Sequence, residues 1–543
     1  MDNTKYKQYA LDVINGDIMA CEYVKLACHK YLKWFERDDM YFNSDKVDKV
    51  VRFMGKLKHF TGLHNGKSFV LQPFQFWIVC NIYGWHWTDT NQRVTKNVYI
   101  ELARKNGKSF FAAAIALYNL IADGEANAEV EIIANSAKQA GIVFSMCKNL
   151  VDGLDAKHKY FKAYRDKIKF DTTKSFLQVL STDVNSNDGW NSSTFIVDEY
   201  HSSPNSLMYD VMKSSQGMRE NPLSVVITTA GFNLFSPCYN MRKTNIEILY
   251  GNKQDDTQFS AIYTLDDGDE WDNPKNWIKA NPCLGVTVKE QYLKEQVTQA
   301  KNNTSMEVGI RTKNFNQWLS TSDVWINNDL LLKSSKKLDI SFFKDLNVYM
   351  GVDLAAVSDL TAISVCCELD GIYYFKTYYF LPQSALSDNS NSELYKDWKR
   401  KGLLIITDGN VVDYDYILST IMKINNTAYI NKIAYDNWNA TQWAIDATSE
   451  GLPLEPFSQA LWNFNKPTKE FERLIKSGRI VLDDNEITRY CFSNVVLKFD
   501  HNENCKPTKL ENQQKIDGVI AMIQALGIMI QEPQYNQQIL AVV

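Results

Sequence analysis

Residues 97–122 constrain this chain more than any other stretch. An apolar alternating run, 97–102, reads as a strand. It leads into Ala103-Arg104-Lys105-Asn106-Gly107-Lys108-Ser109, and residues 110–122 then form an almost wholly apolar, alanine-rich segment that reads as a helix. In a strand–turn–helix setting, Gly-Lys-Ser suits a phosphate-binding loop. Gly107 lets the backbone curl so that its N–H groups face an anion, and the helix N-terminus adds partial positive charge. Lys108 is then placed for the β- and γ-phosphates and Ser109 for Mg²⁺, with Arg104 and Asn106 inside the same loop. The full G-x-x-x-x-G-K-[ST] pattern asks for a glycine where this chain has Leu102. A glycine turn between a strand and a core helix gives the same tripeptide, so the residues downstream must decide between the two.

Residues 194–199 read as a buried strand ending in Asp198 and Glu199. Carboxylates at the C-terminal end of a parallel strand are where a nucleotide hydrolase holds Mg²⁺ (Asp198) and orients the attacking water (Glu199). Another strand, 223–227, ends in Thr228-Thr229-Ala230-Gly231, which suits either a sensor of the γ-phosphate, with Thr228 in that role, or simple β-propensity before a turn. Upstream, Gln75 sits among Phe74, Phe76 and Trp77. Its carboxamide can pair with adenine, and the segment equally suits a buried aromatic helix start. Arg219, just before the 223–227 strand, is a candidate arginine finger or a surface arginine in a salt bridge.

The order Leu71 to Gln75, ARKNGKS, FIVDEYH at 195–201 and VITTAG at 226–231 resembles the ATPase half of tailed-bacteriophage terminase large subunits. Asn314-Phe315-Asn316-Gln317-Trp318 is similar to the stretch that closes that half. Further on, Asp353 ends a strand at 348–354, Asp436 ends a strand at 432–436, and Asp517 opens a helical run at 518–530. Acid on a first strand, acid on a central strand and acid on a late helix is the order of an RNase H-like nuclease, which gathers carboxylates around two divalent ions. The same family resemblance covers these three acids, and Asp359 falls in its pattern as a further acid.

The expected fold class is therefore α/β: an N-terminal P-loop, RecA-like, doubly wound ATPase domain followed by an RNase H-like α/β nuclease domain. The expected organisation is a helical lead-in at 1–65, the ATPase core at 66–240, a lid and linker without strands at 241–337, and the nuclease at 338–543. The resemblance implies ATP and Mg²⁺ as cofactors, with Mn²⁺ accepted by the nuclease. It also implies double-stranded DNA, a small terminase subunit and a procapsid portal protein as partners, and a homo-oligomeric ring of five subunits in the host cytoplasm. A helicase or restriction-type translocase with an attached nuclease is the alternative, but residues 232–322 are too few for a second full sheet.

Composition narrows the classes further. The net charge of −5 provides no global positive field, so any DNA contact is local rather than that of a passive coat. Ten cysteines without a C-x-x-C pair read as small core residues rather than a zinc site. No apolar run approaches the ~20 residues of a membrane span, and the start carries no signal pattern, so a cytosolic protein is expected.

Overall fold

Strands buried on both faces read as continuous apolar runs, and four such runs build the first half of the molecule. The computed structural model describes residues 3–135, 137–181, 189–303, 306–319, 325–326, 328–354, 360–386, 391–436, 441–500, 503–509 and 514–531. It divides into two units, Met1–Thr321 and Ser322–Val543.

Besides an antiparallel pair of Met40–Phe42 with Trp85–Trp87, the strands of the first unit are β1 (Asn97–Glu101), β2 (Glu129–Ala134), β3 (Phe161–Ala163), β4 (Lys167–Phe170), β5 (Ser175–Ser181), β6 (Thr194–Asp198), β7 (Leu223–Thr228) and β8 (Gln258–Ile262). They form one sheet in the order β8-β1-β7-β6-β2-β5-β4-β3. The first six are parallel, and β4 and β3 finish the edge as an antiparallel meander. Helices α1 (Thr4–Asn15), α2 (Glu22–Trp34) and α3 (Ser44–Met54) share one continuous hydrophobic core with this sheet and with α4 (Pro73–Tyr83), α5 (Lys108–Ile121) and α6 (Ala137–Leu154). Alanines 112, 113, 114 and 116 on α5 are fully buried, which lets that helix lie close on the strands.

The region 241–337 is not free of strands. After α7 (Pro237–Leu249), β8 pairs in parallel with β1, from Gln258 opposite Asn97 to Ile262 opposite Glu101, and so extends the sheet beyond the loop strand. Helices Trp277–Ala280 and Glu290–Asn302 precede the short helix α8 (Glu307–Phe315), and a further helix, Asn328–Ser334, lies where a linker was expected.

The second unit is built on β9 (Ser335–Lys336), β10 (Asn347–Asp353), β11 (Thr361–Leu369), β12 (Ile372–Pro382), β13 (Ile405–Thr407), β14 (Tyr429–Tyr435), β15 (Leu454–Pro456) and β16 (Ile480–Asp483). The sheet order is β9-β16-β12-β11-β10-β14-β15, with β13 pairing β12. Strands β10, β11 and β12 form an antiparallel meander, and β14 and β15 run parallel to β10 on its other side. The unit also includes helices α9 (Leu461–Lys476), α10 (Glu486–Ser493) and α11 (Asp517–Met529) and a hairpin of β17 (Val495–Phe499) and β18 (Cys505–Lys509). All ten cysteines are buried and free. Among the described residues no helix is long and apolar enough to cross a membrane.

Candidate active sites

The loop after β1 opens directly into α5, whose first residue is Lys108. Gly107 precedes it with φ +77°, a left-handed conformation that an L side chain rarely adopts. Leu102, which stands where the motif would have glycine, continues the strand. Its N–H donates to Thr228 O at 3.1 Å and its side chain is buried in the core. The Lys108 ammonium is buried and donates to Leu102 O (2.9 Å) and Ala103 O (3.0 Å). Burial pulls its pKa down to about 8, while the nearby Glu199 and Asp198 charges oppose that shift. Ser109 is half-buried in the first helical turn, and Arg104 is exposed.

Strands β6 and β7 bring the acids and the threonines to the same end of the sheet, because β7 lies between β1 and β6. Asp198 is buried, and its Oδ1 has no hydrogen-bond partner among the described residues. Burial, then the neighbouring Glu199 charge, raises its pKa to about 7. A buried carboxylate oxygen of this kind fits a hydrated divalent cation. Glu199 takes a left-handed backbone (φ 53°), which turns the chain at the end of β6. Burial would push its carboxyl up, but the His201 hydrogen bond and the charges of Lys108, His201 and Arg104 outweigh burial and hold it at about 2. The two adjacent acids therefore differ in protonation by environment alone, the arrangement in which one can stay ionised as a base.

His201 Nδ1 lies 3.2 Å from Glu199 Oε2, 3.2 Å from Thr228 Oγ1 and 3.3 Å from Thr229 Oγ1. The Thr229 hydroxyl also reaches Glu199 Oε2 at 3.4 Å. Thr228, the threonine singled out in the sequence, also donates to Thr229 O and accepts from the His201 N–H. Sequence reasoning missed His201 and Thr229. The only signal was their place, two residues past Glu199 and one past Thr228.

Gln75 is buried, and its Nε2 approaches the loop, 3.8 Å from where a Cβ on Gly107 would stand. Its Oε1 accepts from the Gln72 N–H at 2.9 Å in the capping box of α4, so one of the two edges it would offer adenine is already used. Arg219 does not join this site. It precedes β7, at the opposite end of the parallel strands, and its guanidinium donates to Asn191 O (2.6 and 3.0 Å), Ala126 O (3.2 Å) and Asn127 O (3.1 Å) and pairs with Glu125 at 3.4 Å. Within the single chain these contacts are those of the salt-bridge alternative.

In the second unit Asp353 ends β10, and Asp436 follows β14. The parallel register sets Val352 opposite Tyr435, so the two acids leave adjacent strands at the same level. Asp517 is the first residue of α11, which packs on β10 so closely that Gly351 has no room for a side chain. The burial that lowers the Lys506 pKa is opposed by both Asp436 and Asp353. After burial, Asp517 and then Asp353 add to the upward shift at Cys491. All three carboxylates thus act on one corner of the sheet. Among the described residues no three His, Cys, Asp or Glu side chains are gathered closely enough to hold a metal ion. The hard oxygen donors nevertheless suit Mg²⁺ or Mn²⁺. Asp359 lies outside the described residues.

A phosphate-binding loop beside paired acids, together with an acid-bearing meander sheet later in the chain, defines a nucleotide hydrolase joined to a carboxylate nuclease. The family model for the terminase large subunit endonuclease domain matches residues 252–532, and that for the terminase large subunit ATPase domain matches residues 73–247. The chain belongs to the terminase large subunit family and is an ATPase and an endonuclease of viral DNA packaging.

Its relatives include protein YmfN of Escherichia coli K12, 34% identical over 360 residues, covering 63% of this chain and 78% of the relative. The terminase large subunit of Enterobacteria phage HK97 is 27% identical and covers 85% of this chain and 91% of its own. The crystal structure of the HK97 large terminase superposes with a TM-score of 0.51 at 25% identity, covering 89% of this chain and 99% of that one. Strand β8 falls within the stretch that matches the endonuclease domain, yet it folds onto the ATPase sheet.

Proposed function

We propose that ATP binds at the C-terminal ends of β1, β7 and β6, with Lys108 on its β- and γ-phosphates and Arg104 supporting them from within the loop. The observation that carries this reading is the convergence of Lys108, Asp198 and Glu199 in one buried electrostatic cluster. Glu199, held ionised, accepts the proton of the attacking water, and His201 and Thr229 fix the orientation of its carboxylate. Ser109 and Asp198 would hold Mg²⁺, whose charge offsets that of the phosphates.

In the second unit Asp353, Asp436 and Asp517 would hold two divalent cations, Mg²⁺ or Mn²⁺, which activate water and stabilise the leaving oxygen in phosphodiester cleavage. Residues 241–337 serve as lid and linker. The partners are double-stranded DNA, a small terminase subunit and the portal protein of a procapsid in the host cytoplasm, where five copies form a ring.

The test is DNA-stimulated ATP turnover and Mn²⁺-dependent plasmid cleavage in the full chain. Glu199→Gln should bind ATP without hydrolysing it, while Lys108→Ala should bind poorly. Asp353→Asn and Asp436→Asn should lose cleavage and keep ATP turnover. Near-normal hydrolysis by Glu199→Gln, or cleavage that survives both aspartate substitutions, overturns these assignments.

A further inference from the structure

We propose that Asn281 is a positioning residue for the phosphate-binding loop, acting through Asn106, so that the segment after β8 sets the affinity for nucleotide. This inference rests on the nucleotide-binding reading of residues 103–109.

The inner side of the loop is held by Lys108 and the end of β7. The outer side is held by residues far along the chain. Asn106 is 1% exposed and Asn281 0%. Asn106 Nδ2 donates to Asn281 Oδ1 at 2.9 Å, and its Oδ1 accepts from the Cys283 N–H at 3.0 Å. Asn281 in turn donates through Nδ2 to Trp277 O (3.2 Å) and Asn314 O (2.9 Å). Its amide therefore accepts from the loop on one edge and donates to two carbonyls on the other.

Only a carboxamide of this length meets both demands. An aspartate would set a carboxylate against two carbonyl oxygens, and an apolar residue would leave the Asn106 amide only the loop's own carbonyls, Ala103 O and Arg104 O at 3.2 Å each, and cut its shortest tie to the segment after β8. Neighbouring contacts close the grip. Thr287 Oγ1 donates to Lys105 O at 2.6 Å, the Arg104 N–H donates to Lys313 O at 2.9 Å, and the Lys105 ammonium sits 3.9 Å from the centroid of the Tyr292 ring.

A loop whose N–H groups must face phosphate gains affinity when that curvature exists before the ligand arrives. Replacing Asn281 loosens the outer side of the loop, and the lost hydrogen bonds correspond to about a ten-fold change in affinity.

The experiment measures Mg²⁺·ADP binding to the full chain by calorimetry, alongside the melting temperature without nucleotide. Asn281→Ala should bind ADP about ten-fold more weakly. Asn106→Ala combined with Asn281→Ala should be no weaker than Asn106→Ala alone, because the two side chains act as a unit. A purely structural role predicts a lower melting temperature with unchanged ADP affinity in the folded protein, and that result overturns the proposal. Should Asn281→Ala fail to fold, the isosteric and exposed Thr287→Val decides: about three-fold weaker binding supports the grip, and unchanged binding refutes it. Lys108→Ala separates the two levels of inference. If it binds ADP normally, the loop is not the nucleotide site. If it loses binding while Asn281→Ala and Thr287→Val do not, only the positioning role fails.

Discussion

Gly351→Ala tests whether the nuclease acids are placed by strand–helix contact. An ideal Cβ at Gly351 would stand 2.0 Å from Ala521 O and 2.7 Å from Ala525 N, and real Cβ atoms essentially never come within 3.0 Å of another heavy atom. Both obstructing atoms are α11 backbone, which cannot rotate away as a side chain would. The helix must therefore back off β10 by at least about 1 Å, at an overpacking cost of about 1–3 kcal/mol. Asp517 lies one helical turn before Ala521 and moves with it, away from Asp353 on β10.

A 1 Å misplacement of a catalytic group costs about 100-fold in rate. Mn²⁺-dependent plasmid cleavage by Gly351→Ala should fall by that order, while ATP turnover, which depends on a different core, should stay near normal. Gly527→Ala is the matched control. Its Cβ meets the Phe457 ring at 2.6 Å, a side chain that can yield, so it should lower stability more than cleavage. Near-normal cleavage by a folded Gly351→Ala protein would refute the idea that α11 delivers Asp517 to the site.

Arg219→Ala leaves three backbone carbonyls without their donor and should lower the melting temperature, at a cost of about 1–3 kcal/mol. ATP turnover of the folded protein should be unaffected, and mixing this variant with Glu199→Gln should give no rescue; recovered turnover in the mixture would restore the finger reading. Glu131 is fully buried, and burial raises its pKa from 4.5 to about 7 despite the Ser192 hydrogen bond. The folded state therefore keeps a proton that the unfolded chain loses above pH 4.5, so stability falls as pH rises from 4.5 to about 7 and stays lower above that. Glu131→Gln should remove that slope and stabilise the first unit at pH 8 by about 3 kcal/mol, read from its unfolding transition at pH 5.5 and 8; a slope that persists in the variant would assign it to another group. EDTA should abolish cleavage, and Mg²⁺ or Mn²⁺ should raise the melting temperature of the second unit in a concentration-dependent way, with cleavage in EDTA as the contrary result.

What could be read in the sequence was whatever its local pattern encodes. Strands β1, β2, β6 and β7 are mostly apolar because they are buried on both faces, and β1, β6 and β7 run directly into the loop, the acids and the threonines. Strand β8, Gln-Phe-Ser-Ala-Ile, is short and half polar. Its place is decided by pairing with β1, more than 150 residues away, which no local pattern reports. Arg219 looked like a functional arginine beside a functional strand, yet a residue that precedes a parallel strand lies at the end away from the ligand crevice. The order of Asp353, Asp436 and Asp517 was legible, whereas their levelling depends on the β10–β14 register and on α11 packing. His201 escaped because its approach to Thr229 depends on the left-handed turn at Glu199, a conformation with no compositional mark at a glutamate.

The position of β7 also settles which parts of the ATPase site are mechanically linked. The first strand residue past β1 reaches β7 through the Leu102 N–H on Thr228 O, and the acid strand reaches it through the Glu199 N–H on Ile227 O. Loop and acid are thus joined through neighbouring peptide units of one strand end, not to each other. The same end continues to the Ala230 N–H, which donates to Asn316 Oδ1 at 2.7 Å, and to Gly231, packed against Trp318. Asn316 is fully buried in the left-handed conformation, and it also donates to Glu101 Oε1 and Tyr263 O. A shift of Thr228 and Thr229 on loss of the γ-phosphate would therefore be felt at the loop, at the acid and at the residues that close the first unit. Because close-packed elements respond by switching between arrangements rather than by bending, that strand end is where hydrolysis would first become movement.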